Sequence, residues 1–111
     1  MSSSSTRAIA RTWHGRVPAD KADDYHQYLL GTGIADYRST PGNLGVLVQL
    51  RIDEERVAHF TLTTLWDSVA SIIAFAGEDY ERARYYPEDD DYLLEREPHV
   101  VHAEVLLASF A

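Results

Sequence analysis

The sequence predicts an α+β fold in which the elements run strand, helix, strand, strand, helix, strand. Three observations carry that prediction. Four runs place bulky residues at alternate positions, two stretches repeat apolar residues at helical spacing, and turn-forming residues separate them.

The first run spans residues 7–17, with Ile9, Trp13 and Val17 on one side and Ala8, Ala10, Thr12 and His14 on the other. Pro18 stops it, and Asp20 is a candidate N-cap for the helix that follows. There Ala22, Tyr25 and Leu29 form one apolar stripe, which Gly31 and Gly33 end or break. After the Pro41-Gly42 turn, Leu44, Val46, Val48, Leu50 and Ile52 alternate along a second strand. Asp53-Glu54-Glu55 is a short polar connection to a third strand, residues 57–66, so the two form an antiparallel hairpin. Asp67 is placed to cap a second helix carrying Val69, Ile72, Ile73 and Ala76, and a more polar helical stretch is expected to continue it past Gly77 to Arg84. Residues 87–98 read as an acidic loop with one helical turn near Tyr92-Leu93-Leu94, and a final strand spans residues 99–110.

This order folds as a ferredoxin-like βαββαβ antiparallel sheet with both helices on one face. The other face is then bare. Yet Val57, Thr61, Thr63 and Leu65 oppose Phe60, Leu62 and Trp66, and the last strand splits Val101, Ala103, Val105 and Leu107 from Val100, Leu106 and Phe110. A face bathed in water should alternate more cleanly. A second copy is the economical cover, which makes the expected assembly a homodimer, a dimeric α–β barrel.

At 111 residues the chain suits one domain, residues 7–111, behind a patternless, disordered serine-rich tail over residues 1–6. A formal net charge of -8, with ten basic residues scattered among eighteen acidic ones, argues against nucleic acid as the main partner and disfavours an anionic membrane surface. No apolar run reaches the roughly 18–20 residues of a membrane span, and no signal-peptide pattern opens the chain, so a cytoplasmic protein is expected. The absence of cysteine removes disulfides, thiolate nucleophiles and thiolate metal ligands. A single Lys among ten basic residues, with abundant Ala, suggests a GC-rich bacterial genome.

The run Phe60-Thr61-Leu62-Thr63-Thr64-Leu65-Trp66-Asp67-Ser68, followed by Ile73-Ala74-Phe75-Ala76-Gly77, resembles the antibiotic biosynthesis monooxygenase family of the dimeric α–β barrel superfamily. The turn Pro41-Gly42-Asn43-Leu44-Gly45, the stretch Arg84-Tyr85-Tyr86-Pro87-Glu88-Asp89 and the strand Val101-His102-Ala103-Glu104-Val105 are similar too. The resemblance runs from Arg7 onward. It implies a pocket between sheet and helices in which an aromatic, polyketide-like or quinol-like molecule is oxidised by dioxygen without metal, flavin or other cofactor. The protein's part would be to bind that molecule, take a proton and stabilise the anion. Family residues carry over sparsely. Leu62 stands where quinone-forming members have an Asn, and Ala76 where haem-degrading members have a helical His. The first strand also lacks the Asn used by the haem-degrading members, and Trp66 alone matches.

The residues themselves offer several candidates. Trp66 is either core beneath the second helix or a pocket wall that donates its indole N–H. His59, on the opposite strand side among threonines, and His14 are candidate bases. Trp13, Tyr25, Phe60, Leu62, Arg82 and Tyr86 are candidate substrate-binding residues, with Tyr25 on the helical stripe and Arg82 and Tyr86 placed to border a pocket mouth. Each also has a purely structural reading. His102 and Glu104 share a strand side, but two donors make a weak metal signal and no metal is expected. The run Glu88-Asp89-Asp90-Asp91 lacks Ca²⁺-loop spacing and reads as a solvated loop. The leading expectation is a cofactor-independent monooxygenase. The alternatives are a non-catalytic dimer binding a hydrophobic small molecule or haem, and an isomerase or cyclase on the same scaffold.

Overall fold

A computed structural model of the chain describes residues 7–110, so the tail expected over residues 1–6 lies outside the described residues. Strand β1 (Ile9–Pro18) leads through a 3-10 turn (Ala19–Lys21) into helix α1 (Ala22–Gly31). Helix α2 (Gly33–Ser39) follows directly, then strands β2 (Asn43–Ile52) and β3 (Val57–Trp66), helix α3 (Val69–Ala76) and strand β4 (Val101–Glu104). The sheet order is β2-β3-β1-β4, and every neighbouring pair is antiparallel. That is the ferredoxin-like arrangement.

Alternation decides which side chains form the core. On β3, Ala58, Phe60, Leu62, Thr64 and Trp66 are buried under the helices, while the residues between them turn to the open face. Trp13 and Val17 of β1 join them, and Tyr25, Leu29, Ile34, Tyr37, Ile72 and Phe75 close the core from the helices. The break at Gly31 and Gly33 is real but brief. The chain pivots at Thr32 and coils again, so that Ile34 and Tyr37 reach the sheet as Tyr25 and Leu29 do.

Two glycines are demanded by contact. A side chain at Gly15 would meet the indole of Trp13 at 2.2 Å, because that ring lies across the glycine. Gly42 has φ +94, and a Cβ there would stand 2.0 Å from Ser71 Oγ. The turn thereby packs under the start of α3, where Asp67 N–H donates to Gly42 O at 2.9 Å.

Four expectations are corrected. The N-cap of α3 is Ser68, whose hydroxyl accepts from Ser71 N–H at 3.1 Å. Asp67 instead accepts from the hydroxyls of Ser71 and Ser68, which hold its carboxyl below the usual range. The second helix stops at Ala76, since Gly77 turns with φ +91. The chain beyond it is not helical, because its backbone is committed to residues 98–100: Ala83 N–H donates to Pro98 O and Val100 N–H to Glu81 O, both at 2.9 Å. Strand β4 ends at Glu104, opposite Ile9, where the partner strand itself begins. The helical turn in the acidic segment lies at Pro87–Asp91, earlier than expected.

Candidate functional site

Between sheet and helices lies a narrow cavity walled by Trp13, Tyr25, Tyr37, Leu62 and Phe75, with Arg11, Arg84 and Asp89 among its polar groups. Its free volume is about 20 Å³, enough for one water-sized group.

Strand β1 delivers Arg11 to this cavity by the same alternation that buries Trp13, and Arg11 is 2% exposed. Its Nη2 donates to Arg82 O at 3.2 Å, and its Nε has no partner. Burial pulls its guanidinium below the ordinary value, with neighbouring Tyr37 opposing that shift. Two guanidiniums lie over the ring of Phe75, Arg11 5.5 Å and Arg84 4.8 Å from its centroid. Arg84 also donates to Phe75 O at 3.0 Å and lies 3.6 Å from Asp36, whose carboxylate accepts from Tyr86 Oη.

Asp89 is 4% exposed, which corrects the reading of the acidic run as wholly solvated. Its Oδ2 accepts from Tyr86 N–H at 2.6 Å, and burial pushes its carboxyl up from the ordinary value. The phenols of Tyr25 and Tyr37 are pushed up too, chiefly by desolvation. Trp13 Nε1 donates to Tyr85 Oη at 3.1 Å, which in turn donates to Glu97 O at 2.6 Å.

The open face of the sheet carries a different constellation. His59 Nε2 meets Asp53 Oδ2 at 2.9 Å, His59 Nδ1 meets His14 Nε2 at 3.1 Å, and His14 Nδ1 meets Glu97 Oε2 at 2.5 Å. The β2–β3 turn pre-sets this chain, because Asp53 Oδ1 accepts from Glu55 N–H at 2.9 Å and Val57 N–H at 3.0 Å, leaving Oδ2 for the imidazole. His59 therefore holds the Asp53 carboxyl below the usual range. Arg16 pairs with Glu95 alongside.

The candidates thus divide. Trp13, Tyr25, Leu62 and Tyr86 line the cavity. Phe60 packs edge-on against Tyr25 in the core. Trp66 is fully buried and spends its indole N–H on Thr64 Oγ1 at 2.8 Å, away from the cavity lining. Arg82 contributes its carbonyl, not its guanidinium, and pairs with His99 through an isolated bridge. His14 and His59 face the opposite side of the sheet, so they stand together but apart from the aromatic pocket. His102 lies edge-on to Tyr80 with Nε2 unpartnered and is pulled down by burial, while Glu104 pairs with Arg7. Among the described residues no three His, Asp or Glu side chains are placed to share a metal ion, and no helix is long and apolar enough to cross a membrane.

Sequence reasoning missed Arg11, Tyr37, Phe75, Arg84 and Asp89. The signal for Arg11 was present, since the period that turns Ile9, Trp13 and Val17 inward also turns residue 11 inward. Nothing local marks Asp89 out from its acidic neighbours.

No family model matches the chain, and no curated protein matches it. Solved structures do. A haem-degrading protein from Mycobacterium tuberculosis superposes with a TM-score of 0.63 at 16% identity, covering 96% of this chain and 99% of that one. A protein assigned to the antibiotic biosynthesis monooxygenases from Nitrosomonas europaea gives 0.62 at 14% identity, covering 96% of each. A variant of MhuD, solved with two manganese protoporphyrin IX molecules bound per active site, gives 0.62 at 17% identity over 94% of this chain and 99% of that one. This chain therefore has the fold of the antibiotic biosynthesis monooxygenase-type proteins, as the resemblance carried by its sequence implies.

Proposed function

We propose that the protein is a homodimeric, cytoplasmic, cofactor-independent monooxygenase of bacterial type that oxidises an aromatic or quinol-like small molecule in the cavity beneath its helices. The observation that carries this reading is the cavity itself: aromatic walls around a buried cation and a buried carboxyl. An activated methylene and dioxygen give a carbonyl and water, so the substrate supplies all the electrons and no outside reductant is needed. The protein must accept one proton and hold the resulting anion, which then passes an electron to dioxygen. Since His14 and His59 lie across the sheet, Asp89 is the proton acceptor this geometry offers. A ring needs more room than one water-sized group. The wall formed by Arg84, Tyr85 and Tyr86 belongs to a segment without helix or strand, and its displacement would admit the ligand.

A second copy on the open sheet face is supported by what is left bare. Leu47 is 51% and Val101 69% exposed on that face, and beyond β4 Leu106, Leu107 and Phe110 are more exposed still. A cleft of about 490 Å³ separates this last segment from Leu47, Thr63 and Leu65, and an added chain would fill it.

Haem binding is a second reading, favoured by the haem-degrading fold neighbour and the porphyrin-bound one. The donor set fits it poorly. No imidazole lines the cavity, and the buried phenols of Tyr25 and Tyr37 are held protonated, which makes them weak iron ligands.

Oxygen uptake with a panel of anthrones and hydroquinones tests the first reading. Turnover that Asp89→Asn abolishes supports it. No uptake across the panel, with a Soret band on haem titration, would replace it with the second. Proton exchange at the substrate carbon without oxygen consumption would make the protein an isomerase or cyclase instead.

A further inference from the structure

Arg11 has a property that the fold does not require. It is 2% exposed, its Nε has no hydrogen-bond partner, and no carboxylate pairs with it among the described residues. A guanidinium stays protonated inside proteins, and sealing it from water without a counter-ion is unfavourable. A Leu or Met at this inward position of β1 would fill the space without that penalty. The groups around it do not supply the missing charge. Arg82 offers a neutral carbonyl at 3.2 Å. Tyr37 is a phenol kept neutral by its burial. Asp89, in the same cavity, is tied to Tyr86 N–H. Arg84, over the same Phe75 ring, adds a second positive charge, and its own ion pair is with Asp36.

Arg11 lines a space sized for one polar group, with an aromatic surround. We propose that Arg11 Nε receives one negatively charged oxygen of the ligand, a phenolate, enolate or carboxylate carried by a planar aromatic molecule that lies among Trp13, Tyr37 and Phe75. This rests on the reading of the cavity as an aromatic small-molecule site and adds to it the charge of the ligand and the residue that selects it. Arg11 is the specificity-determining group: it favours a ligand that is an anion, or becomes one by losing its proton in the cavity, over aromatics of the same shape that stay neutral.

Two probes of one shape decide it. 2-Naphthoate and 2-naphthamide share their ring system and differ by one charge. Titrated into the intact protein with quenching of tryptophan fluorescence as the signal, naphthoate should bind at least about tenfold more tightly, equivalent to about 1.4 kcal/mol. Arg11→Lys should keep part of that preference and Arg11→Met should lose it, with circular dichroism checking that each variant folds. If Arg11→Met does not fold, the probe pair on the unaltered protein and on Arg11→Lys still decides. Equal binding of both probes overturns the role of Arg11 and leaves the aromatic site standing. Binding of neither removes the site and the inference together, and a preference that Arg11→Met retains also overturns it.

Discussion

The Nε2 of His14 and the Nδ1 of His59 lie 3.1 Å apart, with their rings stacked at 5.3 Å and inclined by 23°. Each ring uses its other nitrogen on a carboxylate, Glu97 for His14 and Asp53 for His59. The two outer nitrogens must both carry protons to donate. The inner contact is a hydrogen bond only if one of its two nitrogens is also protonated.

The four ring nitrogens of this chain should therefore hold three protons when it is intact. Nitrogen-15 chemical shifts of His14 and His59 measure this directly. A spectrum with one N–H on each ring, and an inner pair of bare nitrogens, would show that the inner contact is not a hydrogen bond.

Asp89 gives the fold a pH dependence of unusual sign. Its carboxyl is pushed up in the folded protein, chiefly by burial. Between the ordinary value of 3.8 and that higher one, the folded chain binds more protons at Asp89 than the unfolded chain does. This group's contribution to stability is thus complete at low pH and is lost as pH rises through the folded value. Asp53, Asp67 and Glu95 are shifted the opposite way, and their contributions are lost as pH falls. Asp89→Asn keeps an acceptor for Tyr86 N–H and should leave stability rising more steeply with pH through the acid range. Urea unfolding midpoints measured across that range check it, and parallel curves for variant and parent would contradict it.

Gly15→Ala should destabilise the protein by about 1–3 kcal/mol, the usual cost of overpacking. The new methyl would overlap the Trp13 indole, and that ring cannot move without disturbing its hydrogen bond to Tyr85. Thermal unfolding gives the magnitude, and tryptophan emission should shift with it. An unchanged emission maximum would mean that the ring had not been displaced.

If a second copy covers the open face, Leu47→Asp places a charge at the seam and should weaken association by about tenfold or more. Sedimentation velocity across a dilution series reads this. A parent protein that sediments as a 12.5 kDa monomer at micromolar concentration would end the dimer reading.

The sheet was legible because period two is a local signal. Four strands, their order along the chain and the face each residue takes all follow from alternation, and the third strand agrees residue for residue with Val57–Trp66. Stop signals were less legible. The stretch past Gly77 to Arg84 has helical composition, yet the backbone of residues 81–83 pairs with residues 98–100, a partner that no local pattern reveals. The same holds for the site. Trp13 and Tyr25 could be placed by their stripes, but the burial of Asp89 depends on a 3-10 turn closing over the cavity. The separation of His14 and His59 from the pocket was implicit in their strand positions, since both alternate with the buried residues.

Strand β1 supplies both faces from adjacent residues: Arg11 and Trp13 toward the helices, Thr12 and His14 toward the open side. Deleting a single residue ahead of Arg11 that the strand absorbed by sliding would exchange the two sets, exporting the guanidinium and importing the imidazole. Side chains along this segment can be varied one at a time, but its reading frame cannot. Homologues should therefore show insertions and deletions in the flanking turns and none between residues 9 and 18.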